Sequence, residues 1–230
     1  MYYGIDSYYL ILVLPAIIFS LIAQRRVNSA FETYSKVYSR RGISGADAAR
    51  AVLRLSGITN VQIERVSGSL TDHFDPRTNT IRLSQSVHDA CTVAAIGVAA
   101  HEAGHAVQYA HGYGPIRLRA AIIPITQLGS SAAMPLIFIG LFLNTSLLID
   151  LGLIFFFTSV VFQLVTLPVE FNASNRALAA ISEAGLLYED ELPGARKTLS
   201  AAALTYVAAL MVALAQFLRL LMIFGRRRDD

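Results

Sequence analysis

Apolar runs long enough to cross a lipid bilayer set the terms on which this chain can fold. A bilayer core takes roughly 20 apolar residues as helix. Lipid offers the backbone no hydrogen-bonding partner, so such runs must be helical. The first run is 8–23, with Tyr2, Tyr3, Tyr8 and Tyr9 at one end and Gln24-Arg25-Arg26 at the other. Its charges follow the apolar stretch, and no small-residue cleavage site comes after it, so it reads as a retained anchor rather than a signal peptide. The stretch 122–169 is too long for one crossing and is interrupted by Asn144, Thr145, Ser146 and Asp150. It reads as two spans, 122–143 and 147–167, joined by a short turn; a single tilted helix with a re-entrant piece is the alternative. Pro124 and Pro135 bend the first of these, which neighbouring helices tolerate. A fourth run, 201–224, ends in Arg226-Arg227-Arg228. Composition agrees with a membrane protein: 15% of residues are charged, against about 25% in soluble domains, and the mean hydropathy is +0.51.

Lysine and arginine near span ends set orientation. Arg25, Arg26, Lys36, Arg40 and Arg41, then Arg117 and Arg119, then Arg196 and Lys197 all fall on one side of a four-span chain. That side is expected to be cytoplasmic, in a multi-pass protein of the plasma membrane. Arg226 to Arg228 fall on the other side, against the rule, and the larger group of charges is expected to prevail. No basic patch interleaved with aromatics points to nucleic acid. The single cysteine, Cys91, excludes an intrachain disulfide and reads as a small packing residue.

The main polar insert, 27–119, mixes helix and strand patterns. Residues 28–40 continue the anchor as helix. Ser44 opens a second helix whose apolar positions Ala48, Ala49, Val52 and Leu53 share a face, and Gly57 ends it. Val61 to Val66 alternates apolar and polar residues as a half-buried strand does. Asp75-Pro76 with Asn79 is turn chemistry, so short strands on either side form a hairpin. A helix follows Ser84, capped by Ser86 or Asp89. Asp72, His73 and Asp75 read as turn and capping groups, with a metal role as the alternative. A strand beside the site could also pair with an extended substrate.

That last helix carries His101-Glu102-Ala103-Gly104-His105. Residues four apart share a helix face, so both imidazoles can reach one ion. Catalytic zinc takes three protein ligands and keeps one position open, with the intervening glutamate as general base. The run before it, from Cys91 to Ala100, is almost wholly small and apolar. A carboxylate beside such a run is costly unless paired or metal-bound, which opposes a merely solvated face. Two residues compete as third ligand. His111 lies ten residues after His101, but Gln108 stands where the matching pattern requires a turn-forming glycine. Glu170 follows two spans that bring the chain back to the side it left, and is the better candidate. Asn172, Ser174, Asn175 and Arg176 then become second-layer or substrate-facing candidates.

His101-Glu-Ala-Gly-His-Ala-Val-Gln108, Asp72-His-Phe-Asp-Pro76 and Glu170-Phe-Asn-Ala-Ser-Asn-Arg-Ala177, together with the early anchor, resemble the YugP-like membrane zinc metallopeptidases over nearly the whole chain. More distantly the chain looks like the HtpX-type proteases and CaaX prenyl endopeptidases, gluzincins that pair H-E-x-x-H with a downstream E-x-x-A-D. The resemblance implies one zinc ion on His101, His105 and Glu170, with Glu102 as base. Ser174 departs from the distant relatives, which have aspartate there.

The expected protein is therefore a mainly α integral membrane protein with about four transmembrane helices and a small α+β zincin-like peptidase domain. The expected segments are 1–26 as anchor, 27–119 as the domain bearing the motif helix, 120–169 as a transmembrane hairpin, 170–200 as the third-ligand helix, and 201–230 as the last span with its basic tail. The expected activity is endopeptidase hydrolysis of membrane-protein or peptide substrates, in membrane-protein quality control, with His73, His111 and Arg176 as oxyanion-stabilising candidates. A non-enzymatic scaffold with a structural metal, and a hydrolase of lipidated or non-peptide amides, are the alternatives.

Overall fold

The computed structural model describes residues 6–68 and 70–225. Tyr2, Tyr3 and Arg226 to Arg228 lie outside the described residues. The protein is mainly helical, with one three-stranded sheet. Its elements are α1 (Leu14–Tyr34), α2 (Gly45–Leu55), β1 (Gln62–Val66), β2 (His73–Asp75), β3 (Thr80–Ser84), α3 (Gln85–His88), α4 (Val93–Ala110), α5 (Gly114–Phe142), α6 (Ser146–Glu183) and α7 (Leu192–Gly225). A π-helical turn, Tyr9–Val13, leads into α1. Four of these helical stretches are long and apolar enough to cross a membrane: Tyr9–Tyr34, Gly114–Phe142, Ser146–Glu183 and Leu192–Gly225.

The chain divides into two compact units. Among the described residues the first comprises segments 6–23, 115–168 and 205–225. Large apolar side chains point outward along it, among them Leu128, Phe138, Leu147 and Ile154; hydrocarbon accepts such a surface and water does not. Without a hydrophobic drive between helices in lipid, close packing of small residues holds them. Gly129 on α5 meets the Phe155 carbonyl of α6, and Gly152 on α6 meets the Ala133 carbonyl of α5; a Cβ on either would lie 2.8 Å from that oxygen. The α5–α6 turn passes through Asn144, which takes a left-handed φ of 51°, a conformation asparagine tolerates better than most residues. Arg219 on α7 donates from Nε and Nη2 to Oδ2 of Asp6, at 2.8 and 2.6 Å. Direct pairing of this kind favours a partly buried ion pair at the end of apolar helices.

The second unit comprises 24–114 and 169–204. Its core gathers Val52 and Leu53 of α2, Ile81 and Leu83 of β3, Ile96, Ala99, Ala103 and Val107 of α4, and Ala177 and Ile181 of α6. Ser44 caps α2 by accepting from the Asp47 amide, which satisfies one orphan donor of the first turn. The sheet order is β1-β3-β2. β2 and β3 form the expected hairpin, paired antiparallel with His73 opposite Arg82 and Asp75 opposite Thr80; β1 joins β3 in parallel, with Ile63 opposite Ile81. β3 is central and buried, and supplies most of the sheet's apolar contact.

Two elements differ from the sequence reading, for one reason. The helix after the anchor stops at Tyr34, not 40, and the motif helix starts at Val93 after a separate short turn of helix, α3. Between them the chain pairs with itself. Ser39 donates to the Cys91 carbonyl at 2.8 Å, Val93 to Val37 at 3.0 Å and Gly45 to Ala90 at 3.1 Å. This strand-like stitching holds 90–92 extended. The cap is then Thr92, whose hydroxyl accepts from Ala95, rather than Ser86 or Asp89.

Candidate metal centre

His101 and His105 stand one turn apart on α4 with their ring centroids 4.7 Å apart, edge to face. Glu170, on α6, points between them: its Oε2 lies 3.3 Å from Nε2 of His101 and 3.5 Å from Nε2 of His105. All three side chains are nearly buried. Their ligand atoms lie within 4.8 Å of one another, close enough for one ion.

Whether that trio fits zinc can be tested by length alone. Ligands about 2.0–2.1 Å from a tetrahedral ion stand about 3.3–3.4 Å from each other along the edges. The two His–Glu separations are of that size. They are longer than an N–H···O hydrogen bond at its preferred length of about 2.9 Å. The donor set, two imidazoles and one carboxylate, is also the set zinc hydrolases use, and it leaves a fourth position open.

Backbone packing brings Glu170 there. Gly104, between Glu102 and His105, faces Ala173 on α6, and a Cβ at Gly104 would sit 2.8 Å from the Ala173 carbonyl oxygen. Only glycine lets the two helix backbones approach so closely, three residues beyond the carboxylate.

The surrounding groups orient the rings. Nδ1 of His101 lies 3.1 Å from the Ser174 hydroxyl, so serine occupies the place where distant relatives have aspartate. Nδ1 of His105 lies 3.0 Å from Oε1 of Gln108. Gln108 also donates to the Val169 carbonyl at 2.8 Å and to Oδ1 of Asn172 at 3.0 Å. That same Oδ1 accepts from Nε of Arg176 at 2.8 Å. Burial, the largest influence on His105, opposes a charged ring, yet the Glu170 carboxylate, with Glu102 and Gln108, holds its pKa above the ordinary histidine value. Two carboxylates, Glu170 and Glu102, thus both act on the His105 ring. Glu102 is buried on α4 beside the trio and is not part of it.

The remaining candidates are not members of the trio. Asp72 accepts from the Ser84 amide at 2.7 Å and from its hydroxyl at 3.1 Å, which ties the hairpin to the start of α3. Burial raises its pKa despite those bonds. His73 lies on β2, exposed, with Nδ1 against the Thr71 carbonyl at 2.8 Å. Asp75 pairs with Arg82 at 2.8 Å. β2 nonetheless lies beside the motif helix, through the Phe74–Tyr109 ring contact at 5.6 Å. His111 is the exposed C-cap of α4, and Gly112 with φ 66° turns the chain away after it. Asn175 is exposed. Gln108 is the one residue of the centre that sequence reasoning passes over. In sequence it figures as a missing glycine and as the end of the motif segment, with no role given to it, although its place three residues after His105 puts it on the same helix face.

A histidine pair on an H-E-x-x-H helix with a carboxylate folded against it defines a class, the zinc hydrolases of the His-His-Glu type, here on a chain with four candidate membrane-spanning helices. Residues 9–225 match the family described as "Putative neutral zinc metallopeptidase", and the chain belongs to that family of hydrolases. It is similar to the Bacillus subtilis (strain 168) protein named "Putative membrane protease YugP", 47% identical over 223 residues that cover 96% of this chain and 99% of that one. No solved structure matches it.

Proposed function

We propose that this chain is a membrane-integrated zinc endopeptidase in which His101, His105 and Glu170 hold one Zn2+ and Glu102 is the general base. The observation that carries the reading is the position of Glu170, whose Oε2 stands a coordination-edge length from both imidazole nitrogens. Bound zinc supplies Lewis acidity, polarising a scissile carbonyl and making water acidic enough to attack at neutral pH. Glu102 takes that water's proton and passes it to the leaving amine. Glu102 is itself buried on α4, between small buried neighbours Ala99, Ala103 and Ala106. Ser174 and Gln108 hold the imidazoles in place. Arg176 and His73 are the candidates for stabilising the oxyanion; the Arg176 Nε is engaged by Asn172.

The substrates are membrane proteins or membrane-associated peptides, cleaved near the cytoplasmic face of the plasma membrane, and the role is quality control. The long apolar helices, the name of the Bacillus subtilis relative and the lysine and arginine distribution support this. A structural metal is the weaker reading, since structural zinc is normally closed by four protein ligands and the group among the described residues has three.

Replacing Glu102 with Gln tests the reading. The variant keeps one equivalent of zinc and loses peptide hydrolysis by about 10²–10⁴-fold. Turnover at the wild-type rate with zinc bound removes Glu102 from the mechanism.

A further inference from the structure

Gln108 is fully buried, at 0% exposure, and lies where two helices of the centre meet. Its Nε2 lies 2.8 Å from the Val169 carbonyl oxygen. A carbonyl only accepts, so the amide nitrogen must be the atom facing it. The flipped amide would set two oxygens against each other, so the orientation follows from chemistry and not from telling O from N. Oδ1 of Asn172 takes a second bond from the same nitrogen at 3.0 Å, and Asn172 is itself held by Arg176 at 2.8 Å. With the nitrogen so committed, Oε1 is the face turned to His105, 3.0 Å from Nδ1. That oxygen only accepts. Nδ1 of His105 must therefore carry a hydrogen, which leaves Nε2, the atom 3.5 Å from Glu170, as the ring nitrogen that a cation would meet.

His101 is held differently. The Ser174 hydroxyl can donate or accept, so it orients that ring without choosing its tautomer. Gln108 alone does both. Through Val169, the residue before Glu170, it also joins α4 to the turn of α6 that bears the carboxylate.

We propose that Gln108 is the positioning residue of the metal centre: its amide, locked by Val169 and Asn172, fixes His105 as the Nδ1–H tautomer and clamps the Glu170 turn, so that a cation meets donors already arranged. The expected effect on metal affinity rests on the zinc reading above; the tautomer is a property of the metal-free chain and does not. A buried glutamine that merely glues two helices would hold stability and leave the tautomer free.

The experiment uses the full-length chain in detergent micelles. Long-range ¹H–¹⁵N correlation spectra of the metal-free protein, followed upward in pH until the His105 ring has lost its charge, read its tautomer directly. Competition with a chelator reads zinc affinity. The wild type is expected to show His105 protonated on Nδ1. Gln108→Met, close in shape but unable to bond, is expected to lose that preference and to bind zinc roughly 10–100-fold more weakly, the usual effect of removing a group that orients a ligand. Asn172→Asp keeps the only acceptor the network uses and is expected to retain both properties. If Gln108→Met does not fold, the truncation Gln108→Ala, which also removes the acceptor facing Nδ1, is expected to lose the preference in the same way. A neutral wild-type His105 ring protonated on Nε2 overturns the proposal, as does a folded Gln108→Met chain with unchanged tautomer and affinity. A wild type that shows the Nδ1–H tautomer but takes up no zinc supports the role of Gln108 and overturns the zinc centre instead.

Discussion

Gly104→Ala adds one methyl group and separates two ways of thinking about the motif helix. Judged as a helix position, alanine is the better residue, worth about 0.8–1.0 kcal/mol over glycine. The structure gives the opposite sign for function. The new Cβ would lie 2.8 Å from the Ala173 carbonyl oxygen, where carbon–oxygen contacts settle at about 3.3–3.6 Å. The obstacle is backbone, not the end of a flexible side chain, so α4 and α6 must part by roughly half an ångström. Overpacking of this kind costs about 1–3 kcal/mol, so net stability changes by between about zero and 2 kcal/mol in the unfavourable direction. Metal binding is more sensitive. Ligand distances must hold to within about 0.2 Å, and Glu170 sits three residues from the contact. The expected result is a loss of zinc affinity of about 10–100-fold, or about 1.4–2.7 kcal/mol. Chelator competition on the purified chain measures this, with thermal unfolding in the same detergent as companion. A variant that binds zinc within about twofold of wild type and melts higher would refute the close approach of the two helices.

Glu170→Ala is expected to reduce zinc retention on dialysis far more than His111→Ala, because the first removes a member of the trio and the second an exposed helix cap; the reverse ranking would return His111 to the coordination sphere. The hairpin has its own pH signature. The Arg82 guanidinium beside Asp75 holds that carboxyl down to about 2 from an ordinary 3.8. A depressed acid contributes stability that is complete above its unfolded pKa and is lost as pH falls through the folded one. Protection of the β2–β3 amides against hydrogen exchange is therefore expected to weaken between about pH 4 and pH 2. In Arg82→Gln the Asp75 midpoint is expected to move up toward the ordinary value; a wild-type midpoint already at 3.8 would show that the pair does not form in solution.

The helical spans were legible because lipid leaves the backbone no alternative to helix; the apolar runs 122–143 and 147–167 became α5 and the first half of α6. The motif was legible because four-residue spacing is a local property of helices. The break at 90–92 was not, since what holds it is the segment 37–39, whose sequence carries no strand pattern. Gln108 was opaque for a similar reason. Its partners lie 61 and 64 residues on, at Val169 and Asn172, and no periodicity within α4 announces them. Ser174 could be named as a departure from aspartate, but its bond to His101 spans 73 residues and emerges only when α6 folds back.

The unit that carries the trio is written in two pieces, 24–114 and 169–204, with the apolar hairpin 115–168 between them. A nascent chain therefore displays both histidines while the carboxylate is still unsynthesised, and translation must pass residue 170 before the three donors can meet.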